Sequence, residues 1–302
     1  MSNWTPFGIV AVALAGAAIV ALLEQIVTER RVEPMALARS SMTTLRQPLS
    51  RPEISDTWLF RLAPGLLLMA ALTAIAFVPW TPGFRGIDLS SGLIGFVAAL
   101  AYVTPAIFMA GWGSGRAGGV LGGFRWIALM LAYAMPIAMV VTAVAAPAGS
   151  LRPTDIVEVQ HTVPMALVQP LALALWLPAA LAVCFLPPFD LPQAEEELNG
   201  GVFSEYRGLD ATLIALAQKV LIVAVSGMTA VMFLGGWNGP VLPSGLWMGV
   251  KTVAVAAALL WLGGQVPRFQ TDRVLSIAWK LANPLALLAI VVSGLLTLLF
   301  YR

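Results

Sequence analysis

Charge is scarce in this sequence, and two of the residues that usually carry chemistry are nearly missing. Only 11% of its 302 residues are charged, with one cysteine and one histidine. A soluble domain carries about 25% charged residues, so a chain this poor in them does not fold in water. The lone Cys184 excludes a disulfide framework and any cysteine-built metal or iron–sulfur site. His161 alone cannot form a multi-histidine haem or zinc centre. The net charge of +2 and the scattered basic residues exclude a nucleic-acid binder. The chain therefore supplies no cofactor of its own, and any redox chemistry has to come from a partner.

Apolar residues dominate instead, at 59% of the chain with a mean hydropathy of +0.88. They come in long blocks, not in the alternation of a transmembrane barrel. Crossing the hydrocarbon takes about 20 such residues as a helix. Eight blocks qualify: Phe7–Leu23, Leu59–Val78, Leu93–Trp112, Val120–Ala146, Pro164–Leu186, Leu209–Leu234, Leu246–Gly264 and Leu275–Tyr301. The expected fold is all-α, a polytopic integral membrane protein of about eight transmembrane helices forming one membrane domain over residues 1–302. No basic residue precedes the first block, so it reads as a retained span and not as a signal peptide.

Basic residues set the orientation. The connections after spans one, three, five and seven hold Arg30, Arg31, Arg39, Arg46, Arg51, Arg116, Arg207, Arg268 and Arg273; those after spans two, four and six hold Arg85 and Arg152. The first group is expected in the cytoplasm, with both termini on the external, periplasmic side of a multi-pass protein of the cell's inner (plasma) membrane.

The two longest cytoplasmic connections differ in sign. Residues 24–58 are basic and broken by Pro34, Pro48 and Pro52, and Pro34–Leu45 suits a short helix lying on the membrane surface. Residues 187–208 are acidic, with Asp190, Glu195, Glu196, Glu197 and Glu205 against Arg207. Paired prolines at 187 and 188 end the fifth span, and Asp190 with Pro192 suits the start of a new helix whose dipole favours the glutamates that follow. Such a loop is either simply solvated or a docking and proton-handling surface.

Single residues are read against their ordinary uses. Lys219 lies about ten residues into span six, too deep for easy snorkelling, and is expected to be a functional or ion-paired charge with Glu205 or another protein as partner. Glu24 is expected at the interface, ending span one. Lys251 is close enough to the external side to snorkel, and Lys280 lies near a cytoplasmic end. His161 suits a surface loop and Cys184 apolar packing. Trp58, Trp80, Trp112 and Trp237 suit interfacial anchors. The pairs Gly118-Gly119 and Gly122-Gly123 have the small-xxx-small spacing that lets helices approach closely.

The segment Pro188-Phe189-Asp190-Leu191-Pro192, with Ala194-Glu195, Glu197-Leu198, Gly201 and Glu205-Tyr206 before Gly208, resembles a signature loop of respiratory complex I. That loop belongs to the complex's H-type membrane subunit, the bacterial counterpart of the mitochondrially encoded subunit 1. Other stretches agree in order. Ala110-Gly111-Trp112 with Ser114, Leu121-Gly122 and Arg125 look like that family's third-to-fourth span connection. Asp155-Ile156-Val157-Glu158 with Gln160, and Gly235-Gly236-Trp237-Asn238-Gly239-Pro240, look like two of its external loops. Lys251, Pro267-Arg268-Phe269, Asp272, Trp279-Lys280 and Pro284 are similar to its last two spans. The resemblance covers roughly residues 55–300.

The resemblance implies a membrane subunit of a complex I-like NADH-quinone oxidoreductase. Such a protein anchors the peripheral arm, forms part of the quinone chamber and couples quinone reduction to proton translocation. It is a non-autonomous part of a translocase, with no complete active site in one chain. Quinone would be the substrate, with iron–sulfur clusters and flavin in partner subunits. Those partners would be the iron–sulfur and quinone-site subunits of the peripheral arm, together with small and antiporter-like membrane subunits in the bilayer. Asp190, Glu195, Glu197, Glu205 and Tyr206 would line the chamber and the start of the proton path. Arg125, Lys219, Lys251, Lys280 and Arg268 would be charge partners along it.

The sequence also departs from the family. The Arg-Arg-Gly-Pro-Asn run of the first connection reads Arg30-Arg31-Val32-Glu33-Pro34, and the segment is short. Ala134 and Gln218 stand where the family has glutamates, and Gly263 where it has an arginine. Two other functions stay open: the anchor of a membrane-bound nickel–iron hydrogenase or formate hydrogenlyase, and an independent ion transporter. Against the transporter, no internal repeat relates the two halves of the chain. A purely structural scaffold is a fourth possibility.

Overall fold

A computed structural model describes residues 5–29, 33–49, 55–190, 201–267 and 269–300. Among them there are helices and turns but no strand. The helices are α1 (Thr5–Glu29), α2 (Pro34–Leu45), α3 (Thr57–Ala76), α4 (Gly92–Ala101), α5 (Val103–Gly113), α6 (Ala117–Ala145), α7 (Pro153–Val159), α8 (Met165–Val168), α9 (Pro170–Val183), α10 (Gly208–Phe233), α11 (Ser244–Gln265), α12 (Thr271–Ile277) and α13 (Asn283–Phe300). A π-helical turn, Ala278–Ala282, joins the last two.

Seven of the eight apolar blocks become helices long enough to cross a bilayer, with α4–α5 and α12–α13 each making one crossing in two parts. The fifth block is the exception. Pro170 stops α8 and opens α9, which has 14 residues and so rises only about 21 Å at 1.5 Å per residue, short of the hydrocarbon's roughly 30 Å. A broken helix survives in a membrane only where it is covered by protein, and α9 is packed between α6, α11 and α13.

The bundle is built around α10. From Val220 to Phe233 every residue is buried, as expected of a helix that is apolar on all sides. It lies against α1, α3 and α11. Close approach elsewhere uses glycine. A Cβ on Gly111 of α5 would collide with the carbonyl of Gly119 on α6, and Gly123 lies against Phe108. Gly119 and Gly123 are thus the members of the two glycine pairs that meet the neighbouring helix.

The connections gather into two groups at opposite ends. At one, here the odd end, Tyr206 meets Phe60, Arg116 meets Glu205, Phe189 meets Phe269 and Gly208 lies against Gln47. At the other, the even end, Gly92 lies against Pro153, Arg152 approaches Asp88, and Gln160 receives the Gly235 N–H. The outer parts of α1 and α13 also belong to the even end, since Gly8 lies against Phe84 and Ser293 donates to the Ala143 carbonyl. The basic connections of spans one, three, five and seven therefore share one end.

Gly111→Val tests the α5–α6 contact. It should cost about 1–3 kcal/mol through overpacking and lower the melting temperature of the detergent-extracted protein, whereas Gly65→Val, where a Cβ meets nothing within 4 Å, should change it far less.

Candidate functional site

The acidic segment leaves and rejoins the protein at the odd end, and both of its stems are aromatic. After α9 the chain turns at Phe185, whose φ of 53° is left-handed. Cys184, Phe185, Leu186, Phe189 and Asp190 are all buried. Phe185 packs edge-on to Trp126 at 4.7 Å, and Phe189 lies between Tyr133 at 5.5 Å and Phe269 at 6.2 Å. Residues 191–200, which include Glu195 and Glu197, lie outside the described residues, as does Arg268.

The returning stem is clamped by two contacts. Tyr206 stacks flat on Phe60, with ring centres 4.1 Å apart and planes 4° from parallel, and its hydroxyl donates to the Phe60 carbonyl at 2.9 Å. That carbonyl would ordinarily accept from the residue four positions on in α3, which is Pro64 and has no N–H. The tyrosine thus replaces the donor that proline removes. Burial, together with the negative charge of Asp210, pushes the Tyr206 phenol above its ordinary value, so it remains a neutral donor. Beside it, the largely buried Glu205 accepts from Arg116 at 2.7 Å, while Arg116 stays mostly exposed.

Lys219 does not pair with Glu205, as its sequence position suggested. It pairs with Glu24 of α1 at 2.7 Å, with both side chains largely covered. Lys219 lies eleven residues into α10, about 16 Å along its axis, and faces α1. Glu205 precedes that helix and is held by Arg116. Glu24 is correspondingly placed within its span, since α1 continues to Glu29.

Lys251 belongs to the even end. Its Nζ donates to the carbonyls of Leu234, Gly236 and Asn238 at 2.6, 2.9 and 2.7 Å and lies 5.6 Å over the Trp247 ring. The ammonium closes the end of α10, where four carbonyls lack helical donors and the backbone runs through positive φ at Gly235 and Gly236. Lys280 is exposed in the π turn, and Arg125 is half-buried on α6. The odd end thus unites Asp190, Glu205 and Tyr206, with Lys219 deeper and Lys251 remote from them.

Each of the three neutral positions has a local reason. A Cβ at Gly263 would come within 2.8 Å of the Pro187 carbonyl, so α11 passes too close to that corner for an arginine. Gln218 donates its amide to the Cys184 carbonyl at 3.2 Å. Ala134 lines an apolar cavity of about 380 Å³ between α5 and α6, alongside Thr104 and Met130.

Sequence reasoning missed the role of three glutamine and serine side chains. Buried Gln160 makes four hydrogen bonds, donating to the Ile156 and Val231 carbonyls and accepting from the Met165 and Gly235 amides. Gln169, at the break between α8 and α9, donates to the Ala143 carbonyl and to Ser293, which donates to that same carbonyl. The available signal was a proline four residues after the acceptor, Pro147. Among the described residues, no group of three His, Cys, Asp or Glu could hold a metal ion.

The profile of the NADH dehydrogenase family matches residues 41–294. Among similar curated proteins, a second-copy H subunit of NADH-quinone oxidoreductase from Syntrophobacter fumaroxidans is 35% identical over 252 residues, covering 80% of this chain and 76% of its own length. The H subunit of the Geobacillus kaustophilus enzyme is 34% identical, covering 83% and 76%. A second-copy H subunit from Cereibacter sphaeroides is 34% identical over 280 residues, covering 91% and 88%.

Two substitution sets test the site. Tyr206→Phe should cost about 1–3 kcal/mol by leaving a buried carbonyl bare, and Pro64→Ala should suppress that loss by restoring the helical donor; thermal unfolding of the purified protein reads both. Glu24→Gln and Lys219→Met should each destabilise, and the double variant should recover part of the loss, with a coupling of about 0.5–3 kcal/mol in the cycle.

Proposed function

The chain belongs to the NADH dehydrogenase family, and from that premise we propose that it is the membrane subunit of a quinone-reducing oxidoreductase complex. In this reading the odd end faces the cytoplasm, because the basic connections collect there, and both termini face the outside of the plasma membrane. The odd end docks the peripheral subunits, which bring the iron–sulfur clusters and flavin, while small and antiporter-like subunits continue the membrane arm.

The observation that carries this reading is the double clamp on the acidic segment. Tyr206 on Phe60 and Glu205 on Arg116 hold one stem, and Phe189 between Tyr133 and Phe269 holds the other. A segment rich in carboxylates is thereby fixed at its two roots, at the end where a soluble electron donor would meet a membrane-dissolved quinone. Asp190, Glu195, Glu197 and Glu205 supply groups able to gain and lose protons as a quinone is reduced, a step that takes up two electrons and two protons. Tyr206 contributes position and a fixed hydrogen-bond donor, since its phenol stays protonated.

Proton coupling would pass inward from that segment. The Glu24–Lys219 pair is the charged element deeper in the bundle, and intramembrane charges are costly enough that they ordinarily serve function. Gln218 and Ala134 offer no titratable group, so this chain's path relies on the acidic segment and on that pair. Lys251, whose three donors are all engaged by backbone, is a tether in this reading.

Extraction in mild detergent followed by mass spectrometry of the co-purifying subunits tests the assignment. Iron–sulfur and antiporter-like partners, with electron-donor-dependent quinone reduction, are expected. A large subunit bearing nickel-binding cysteines would move the chain to the hydrogenase branch, and a stable monomer would overturn both. In the intact complex, Glu195→Gln with Glu197→Gln should lower quinone turnover and proton translocation several-fold; unchanged rates with normal assembly would leave only the anchoring role.

A further inference from the structure

The seam between α1 and α11, backed by α10, contains an elongated cavity of about 230 Å³. Gly16 and Gly249 make room for it on the two facing helices. Along α11 it runs from Gly245, near the even end, to Ala256, a rise of about 16 Å at 1.5 Å per residue. Trp80, which follows α3 at the even end, borders its mouth. Val20 and Val223 form its inner end. One helical turn further in, Glu24 and Lys219 close the seam with their ion pair.

Its polarity is one-sided. Only two polar side chains line it, Thr252 and Trp80. The Thr252 hydroxyl already donates to the Met248 carbonyl at 2.8 Å. Trp80 is 8% exposed, and its indole N–H has no acceptor within the chain. A buried donor left unpaired costs about 1–3 kcal/mol. The cavity is thus an apolar slot, blind toward the odd end, with a spare hydrogen-bond donor at the even-end mouth.

We infer that this slot binds one acyl chain of a membrane phospholipid from the leaflet at the even end, with an ester oxygen accepting from the Trp80 N–H. The direction of the polarity selects this occupant. A phospholipid of that leaflet carries its polar atoms at the mouth and its hydrocarbon inward. A quinone serving the acidic segment would have its polar head at the opposite end, beyond the Glu24–Lys219 pair. A partner helix, about 10 Å across with its side chains, is too wide for the slot. Solvation of the chain gains little, because the lipid it leaves is as apolar as the slot. Retention comes from dispersion contacts with fixed walls and from the one hydrogen bond that Trp80 otherwise lacks. The site stands whether or not the chain works in quinone reduction.

Native mass spectrometry of the detergent-extracted complex, with lipid analysis after a delipidating wash, tests the site. A Cβ at Gly249 meets nothing within 4 Å, and the same holds for Gly294 on α13, away from the slot. Gly249→Leu plugs the slot, and Gly294→Leu is its control. Wild type and Gly294→Leu should keep a phospholipid on each copy, Gly249→Leu should lose it, and Trp80→Phe should release it faster on washing. Equal lipid retention in wild type and Gly249→Leu would overturn the site, as would density for a prenyl chain or a partner helix there. If Gly249→Leu does not assemble, Trp80→Phe and density in the wild-type slot decide in the same way.

Discussion

A backbone carbonyl inside a bilayer must find a donor within the protein, and this requirement organises most of the polar contacts described above. Proline creates the need. Pro64 removes the donor from the Phe60 carbonyl, and Pro147 removes it from Ala143. Tyr206 meets the first, and Gln169 with Ser293 meets the second. The breaks and ends of α8, α9 and α10 are treated alike: Gln218 donates to Cys184, Gln160 to Val231, and Lys251 to the three carbonyls beyond α10. Each donor comes from a distant part of the chain, so every repair is also a tertiary crosslink.

This economy separates two kinds of polar residue. Gln160, Gln169 and Lys251 are buried or spanned because the backbone requires them, and an isolated charge such as Lys251 is stable there because its three hydrogens are all accepted. Glu24 and Lys219 satisfy each other and repair no backbone. A pair of that kind adds little net stability over apolar packing, which makes function the better explanation for its presence. The same distinction applies to the neutral positions. Gly263 is imposed by the approach of α11 to Pro187, and Gln218 serves the Cys184 carbonyl, so their lack of charge follows from how this chain turns its corner between α9 and α10.

The odd end gains its character from the contrast between rigid stems and the carboxylate-rich segment they carry. Stacked and edge-on rings fix the stems in a mesh running from Phe60 through Tyr206, Phe203 and Phe185 to Trp126. Aromatic pairs of this geometry contribute beyond their buried area, and they leave the intervening residues without any structural duty that the stems already perform. At the even end the contacts are hydrogen bonds to backbone, suited to holding loops closed. The two ends are therefore built from different interactions, in keeping with different roles.

Much of this was legible in one dimension. Long apolar blocks fixed the helical class and the number of segments, because hydrocarbon thickness translates directly into a count of residues. The arginine tally separated the connections into the two groups that the structure gathers at opposite ends, and Pro188–Gly208 carried the family resemblance. What the order of residues could not give was pairing across the chain. Glu24 and Lys219 are 195 positions apart, and Phe60 and Tyr206 are 146 apart. Whether the fifth block would span unbroken depended on neighbours able to cover Gln169. Hydropathy is a property of each residue and sums along the chain, whereas a bare carbonyl or a buried charge is satisfied only by whatever the packing of helices brings within about 3 Å of it.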